Sequence, residues 1–329
     1  MTAPPEAGTF KAAIAKAEAF LRGRLRAGDY GLACVGSDGS RTFADNRGHL
    51  FVAAFIAQAM RGRLDEIDRT IILMRILSEE HEGAWGFRPR GIRHDEAFRV
   101  FHVDSDDSAY AIRALRWLGV NRAPECLLRF YREAERLFVT FDAPGPTALT
   151  VEPSAPNNLL AHPEVNANVY LALKGTHLDH LINFDALAQA QDPEGSWRSY
   201  FYPSLLFGTL LATEVLRGHD DAAVERALGF VAGTQNADGS WGEDGDPHET
   251  ALAISTLAGS AAHADAMWRG VDHLLGAMAA DGSWSSSACT WEFHEAGNVQ
   301  RAYDRHGTYV SARCMTALRR ANRDRKRPK

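Results

Sequence analysis

Apolar positions recur with a helical period in stretches separated by short glycine-bearing turns, and the stretches come in pairs. Val224, Leu228 and Val231 mark the stripe of one helix, and Ala251, Ile254 and Leu257 that of the next. Between them runs Gln235-Asn236-Ala237-Asp238-Gly239-Ser240-Trp241-Gly242. The loop returns at Gln191 to Trp197 and at Asp281 to Trp284, with its tryptophans 44 and 43 residues apart. A fourth copy, Glu82-Gly83-Ala84-Trp85-Gly86-Phe87, stands 112 residues before Trp197, which leaves room for one worn copy near Asp142 to Pro146. Asp29-Tyr30-Gly31 reads as a worn first copy. Such a period, with one helix before and one after each loop, marks an array of helix pairs. Glycine supplies the positive φ of the turn, aspartate closes a side-chain turn, and a buried indole clamps the two helices, so these loops are structural.

First helices are expected near 10–26, 65–79, 123–138, 179–190, 221–234 and 265–279, and second helices near 47–60, 106–118, 165–174, 203–216, 248–258 and 307–319. Six pairs close a ring. The expected fold is therefore all-α, an (α/α)6 barrel in one domain over residues 1–320. The second helices carry fewer charges and belong on the inside. Functional residues are then expected at one end of the inner ring, on the loops 88–105, 156–166, 198–203, 242–250 and 290–308.

At 329 residues, 45% hydrophobic and 24% charged, the chain can bury a large core, which excludes disorder for its bulk. Apolar runs such as Leu205 to Leu211 fall short of the roughly 18–20 residues of a membrane span, so no transmembrane segment is expected. The N-terminus mixes Glu6, Lys11 and Lys16 without a leader core, and a cytoplasmic protein is expected. Cys34, Cys126, Cys289 and Cys314 lie far apart, suggesting neither a disulfide framework nor a cysteine-built zinc site. The net charge of −6 is uneven: Arg319 to Lys329 carry seven basic side chains and one acidic, so the body is acidic and residues 321–329 form a basic tail, expected to be disordered. An acidic body with no basic, aromatic-interleaved face argues against nucleic-acid binding.

The segment His102-Val103-Asp104-Ser105-Asp106-Asp107-Ser108-Ala109-Tyr110 opens an inner helix with three carboxylates in four positions. Capping and the helix dipole use one or two acids. Mutual repulsion among three raises one carboxyl pKa, holding it protonated near neutrality while a neighbour stays ionised, and such a carboxylic acid facing an apolar cavity is a general acid. The preceding loop holds Arg88, Arg90, Arg93 and Arg99. Guanidinium clusters grip phosphate oxygens in bidentate fashion, which suits a diphosphate with Mg2+ as its companion; surface arginines balancing Glu79, Glu80, Asp95 and Glu96 are the plainer reading. His248 beside Glu249, with His306 and His102 at the same end, supports an alternative, a His/carboxylate metal-dependent enzyme. A non-catalytic binding scaffold is the third reading.

Asp104-Ser105-Asp106-Asp107-Ser108-Ala109 resembles the DxDD-T-A motif of class II terpene cyclases, and the Gly-Ser-Trp loops resemble their QW repeats. Glu164-Val165-Asn166-Ala167-Asn168-Val169 is similar to the inner helix that opens Asp-Val-Thr-Ala-His-Val in squalene-hopene cyclases, with Asn168 in place of the histidine. The likeness runs from Gly195-Ser196-Trp197 through Phe207-Gly208-Thr209 to Tyr309-Val310-Ser311-Ala312-Arg313, covering roughly residues 65–320. Protein prenyltransferase β subunits share the toroid, but their Asp-x-Cys zinc pattern is missing. The resemblance implies a cyclase that protonates an alkene or epoxide of an isoprenoid, which with the arginine cluster makes a prenyl diphosphate the expected substrate. Asp106 would be the proton donor, Asp104 and Asp107 its tuners and Asn168 its orienting group. Tyr200, Phe201, Tyr202 and Tyr110 would bind the substrate, their π faces turned to the carbocation. Family members place the site between this barrel and a second helical domain, for which this chain is too short; a homodimer, a partner domain or the chain's own loops would close the cavity.

Overall fold

The computed structural model describes residues 4–37, 41–44, 48–87, 103–142, 160–295 and 298–326. Its α-helices are α1 (Ala7–Ala27), α2 (Leu50–Ala59), α3 (Glu66–Ser78), α4 (Ser105–Trp117), α5 (Pro163–Leu173), α6 (Phe184–Gln189), α7 (Leu205–Leu216), α8 (Asp221–Gly233), α9 (Pro247–Leu257), α10 (Ala264–Gly276) and α11 (Thr308–Arg325). Burial is most complete for α2, α4, α5, α7, α9 and α11, which are buried along nearly their whole circumference. Each packs on the next and α11 returns to α2, closing a ring. Outside it, α1 lies on α11, α3 on α2, α6 and α8 on α7, and α10 on α9, each through one apolar stripe.

Four buried tryptophans join the layers by a repeated set of bonds. The indole Nε1 of Trp85, Trp197, Trp241 and Trp284 donates to the carbonyl of Ile76, Leu187, Val231 and Leu274, at 2.6–2.7 Å, tying each loop to a carbonyl near the end of the preceding outer helix. Their backbone N–H groups donate to the hydroxyls of Ser108, Thr209, Thr250 and Ser311 on the following inner helix, at 3.0–3.1 Å. Gln191 and Gln235 reach the next outer helix, giving Nε2–H to Ala223 O and Ala266 O at 2.9 and 2.8 Å. Glycine is required there: a Cβ on Gly195 or Gly239, at φ of 103° and 90°, would lie 2.4 and 2.8 Å from Arg226 O and Arg269 O.

The structure departs from the expected all-helical pairing in four places. The helix expected at 123–138 is a 3-10 helix, Pro124–Phe130, followed by a hairpin of β3 (Tyr131–Arg132) and β4 (Leu137–Phe138). Leu127 and Phe130 bury together at the three-residue spacing of that tighter helix. Asn166 then pairs the edge of β4, accepting from Phe138 N and donating to Phe138 O at 2.9 and 2.8 Å. The helix expected at 179–190 is a 3-10 turn, Asp179–Leu181, and the short α6, which Asn183 caps by accepting from Ala186 N at 3.1 Å.

The third departure is a four-stranded antiparallel sheet in the order β2-β1-β6-β5, from β1 (Leu32–Gly36), β2 (Arg41–Ala44), β5 (Trp291–Glu295) and β6 (Asn298–Asp304). Leu32 and Cys34 are buried with a period of two, as are Trp291 and Phe293, the signature of a half-covered sheet. Glu292 N donates to Phe201 O at 2.7 Å, which seats the sheet on the end of the ring where the inner helices begin. Fourth, α11 continues to Arg325 with Ala321 buried, so the first residues of the expected tail are helical. No helix among the described residues is long and apolar enough to cross a membrane.

Candidate active site

The acidic segment lies where α4 begins. Asp104, in extended conformation, is the N-cap, its Oδ1 accepting from Asp107 N at 2.7 Å. Ser105 donates Oγ–H to Val139 O at 2.9 Å, and Ser108 holds the Trp85 backbone, so the two serines anchor the helix start to its neighbours. Asp106, between them, makes its contacts with α5 and the loop before α7. Its Oδ1 accepts from Asn168 Nδ2 at 2.8 Å and its Oδ2 from the Tyr202 hydroxyl at 2.6 Å. Asn168 in turn accepts from the buried Arg113, two turns further along α4. Asp107 Oδ1 has no hydrogen-bond partner among the described residues.

All three aspartates are buried, and burial is the leading reason their carboxyls titrate high. Asp104 is pushed up to about 7 by burial, with the Asp106 charge adding to the rise. Asp107 lies well above the usual range through burial and then repulsion by Asp104 and Asp106. Asp106 is raised by burial to about 6 and no further, because the bonds from Tyr202 and Asn168 and the charge of Arg113 favour its anion. The repulsion expected from the sequence is thus secondary to desolvation, and all three carboxyls rise rather than one. Among the described residues Arg113 is the guanidinium whose charge acts on Asp106, and one cannot balance three buried carboxylates, so the group retains protons near neutrality.

Aromatic rings surround the acid. Tyr202 stacks on Phe207 at 3.9 Å between centroids, and Tyr110, one turn past Asp106, meets Phe51 edge-on at 5.3 Å. Phe201 lies parallel to Trp291 at 6.3 Å, Trp291 stacks on Phe87 at 4.0 Å, and Tyr200 stacks on His162 at 4.3 Å. Trp291, Phe293, Phe87 and Phe51 were not singled out from the sequence; the Trp-x-Phe alternation of β5 was the available signal. Glu164 was also missed as a working residue. Fully buried, it accepts at Oε1 from Tyr200 N and Phe201 N at 2.8 and 3.1 Å and so fixes the aromatic loop, while burial pushes its carboxyl up to about 7.

Arg88, Arg90, Arg93, Arg99 and His102 lie outside the described residues. His248 shares a hydrogen bond with the Tyr309 hydroxyl at 3.1 Å, and burial pushes it down to about 3, which leaves it neutral. Glu249 accepts from Ser204 at 2.7 Å. The backbone N–H of His306 donates to Asp304, the carboxylate that also receives the first N–H groups of α11. Among the described residues no three histidine, cysteine or acidic side chains gather as metal ligands, so His248, Glu249 and His306 do not assemble into the metal set expected from the sequence.

Residues 169–323 match the squalene-hopene cyclase C-terminal domain family. The chain is 28% identical over 227 residues to a drimenyl diphosphate synthase of Streptantibioticus cattleyicolor, covering 62% of this chain and 39% of that one. It is 28% identical over 168 residues to an ent-copalyl diphosphate synthase of a Streptomyces species, covering 47% and 30%. The alignments therefore span well under half the length of these relatives. In fold it is similar to the type II terpene cyclase MstE of Scytonema, with a TM-score of 0.72 at 16% identity over 97% of this chain and 100% of the other. That cyclase has been solved with its substrate geranylgeranyl dihydroxybenzoate.

Proposed function

From a chain that is a relative of the class II terpene cyclases, we propose an enzyme that starts the cyclisation of an isoprenoid by protonating it with Asp106. The observation that carries the proposal is the carboxyl of Asp106, buried, raised to about 6, and held at both oxygens by Tyr202 and Asn168 among aromatic rings. Asp106 gives its proton to one carbon of a terminal alkene, forming a C–H bond and leaving a tertiary carbocation on the other. The next alkene supplies its π electrons to close a ring, and loss of a proton at the end restores neutrality, so the reaction is an isomerisation. Tyr202 and Asn168 stabilise the aspartate left behind, and the rings of Phe201, Tyr202, Tyr110 and Tyr200 stabilise the cation while excluding water.

The substrate we assign is a prenyl diphosphate, the class of product named for the curated relatives. Arg88, Arg90, Arg93 and Arg99 are proposed to grip its phosphates, with any Mg2+ arriving as part of the substrate; no step depends on the metal. A homodimer or partner domain remains proposed as the element that completes the cavity beyond the sheet. The Trp85, Trp197, Trp241 and Trp284 loops are read as counterparts of the QW repeats, and the helix pairs as an (α/α)6 toroid with its third outer helix replaced.

The test is incubation with geranyl, farnesyl and geranylgeranyl diphosphates and Mg2+, then phosphatase treatment and gas chromatography with mass detection. A cyclic alcohol formed by the parent and not by Asp106→Asn is expected. Equal yields from both proteins would remove Asp106 from the mechanism.

A further inference from the structure

A second polar feature lies at the opposite end of the ring, where the inner helices finish around a cavity of about 400 Å3. Arg61 and Arg63 line it from just beyond α2, Arg113 and Arg116 from the end of α4, and Arg319, Arg320 and Arg323 from α11. Glu214 is the one carboxylate among these lining residues.

Some of these arginines have a structural duty. The last carbonyls of a buried helix need donors, and Arg116 serves Ala172 O at 2.6 Å, Arg319 serves Ala59 O and Arg61 O, and Arg320 serves Ser255 O. A carbonyl occupies one or two of the five N–H groups of a guanidinium and cancels none of its charge. Arg320 pairs with Glu214, and Arg63 with Glu18 at 2.6 Å. Among the described residues, Arg61, Arg113, Arg116, Arg319 and Arg323 have no carboxylate in salt-bridge contact, so the side chains of the cavity wall carry a positive excess that faces the negative ends of the helix dipoles.

The cavity is separate from the acid. Arg113 stands seven residues beyond Asp106, about 10 Å along the helix axis. The centre of the ring between the two ends is filled by Phe51, Phe55, Tyr110 and Tyr309, whose ring centroids lie 4.8–5.3 Å apart. No hydrocarbon chain threads that packing. A single sulfate-like ion would leave most of the charge unmatched, whereas two adjoining phosphoryl groups offer several oxygen pairs to planar guanidinium forks.

We propose that this cavity binds a diphosphate-bearing anion, either inorganic diphosphate or the polyphosphate of a nucleotide, at a site that takes no contact from the Asp106 carboxyl. The test is calorimetric titration of the full chain at fixed ionic strength with inorganic diphosphate, ATP and sulfate. Saturable binding at least tenfold tighter than sulfate is expected for one of the first two, and the tighter of them identifies the source. Arg61→Glu with Arg323→Glu, at exposed positions whose side chains serve no helix carbonyl among the described residues, should weaken it more than tenfold, and Asp106→Asn, which acts only through Asn168 and Arg113, should retain it. If charge reversal unfolds the chain, Arg61→Gln with Arg323→Gln makes the same test. Sulfate binding as tightly, no saturation by either polyphosphate, or affinity indifferent to the arginine changes would overturn the proposal, as would its loss in Asp106→Asn.

Discussion

Asp106→Asn separates a carboxyl kept for chemistry from one kept for stability. Asparagine has the same shape and can keep both contacts, accepting from Asn168 at Oδ1 and donating Nδ2–H to the Tyr202 oxygen. Only the charge is removed. The Asp106 carboxyl rises from 3.8 to about 6 on folding because burial disfavours its anion. At about 1.4 kcal/mol per tenfold change in proton affinity, holding that anion in the folded state above pH 6 costs about 3 kcal/mol. Below pH 4 the group is protonated in both states and the cost vanishes. Between these limits the folded chain keeps a proton that the unfolded chain has released, so the parent loses stability as pH rises. Asp106→Asn should therefore be the more stable protein at pH 8 and match the parent near pH 4. With an unfolding entropy of about 2.1 cal/mol/K per residue, about 3 kcal/mol corresponds to about 4 °C in Tm for a chain of this size. Relief of repulsion on Asp104 and Asp107 acts in the same direction. Thermal unfolding followed by circular dichroism at pH 4, 6 and 8 measures the difference. A variant no more stable than the parent at pH 8, or stabilised equally at pH 4, would refute the reasoning.

Three further outcomes are expected. On the proposed mechanism only the protonated Asp106 donates, so turnover should fall as pH rises through about 6, and Tyr202→Phe, which removes a hydrogen bond to the anion, should move that limb to higher pH in a kcat profile. Glu164→Gln should retain the fold and the aromatic loop, whereas Glu164→Ala leaves the N–H groups of Tyr200 and Phe201 unpaired and should lower stability by roughly 2–4 kcal/mol in denaturant unfolding. Gly239→Ala forces a Cβ to 2.8 Å from Arg269 O at a φ of 90° and should cost more than about 1 kcal/mol, read as a lower Tm, while Gly233→Ala, with open space around it, should not destabilise.

The parts legible in the sequence were those built from local repetition. α2 and α7 announce themselves by being apolar on nearly every face, α4 and α11, which carry charged side chains, by their place in the repeat, and each tryptophan loop by a glycine and an indole at fixed spacing, since the bonds they make run to neighbouring helices. The sheet was not legible in the same way: the Trp291-x-Phe293 alternation spans five residues, and β1, which pairs with β6, lies more than 250 residues earlier. The stretch from Arg132 to Arg136 has the charged composition of an exposed helix, but Asn166, on a distant helix, offers β4 a better set of bonds. Glu164 escaped notice because its carboxylate serves two backbone N–H groups, a use that leaves no pattern in side chains.

The placement of charge follows from one property of the ring. The start of α4 meets the start of α5 through Asp106 and Asn168, and Ser204 and Glu249 join the starts of α7 and α9. The ends meet as well, through Arg116 on Ala172 and Arg319 on Ala59. The inner helices therefore run in the same direction and their dipoles add, making one end of the barrel positive and the other negative. Acidic side chains collect at the first end, in Asp104, Asp106, Asp107, Glu164, Glu249 and Asp304, and arginines at the second. The dipole at the first end favours ionised carboxylates, so a proton stays on this acidic group only if burial outweighs it. Asp104 and Glu164, raised by burial to about 7, and Asp107, raised by burial well above the usual carboxylate range, meet that condition. Asp106 is held at each oxygen by a side-chain donor, Asn168 on one and Tyr202 on the other, and a residue proposed to lose a proton and regain it needs both desolvation strong enough to hold the proton and partners ready for the charge that its transfer leaves behind.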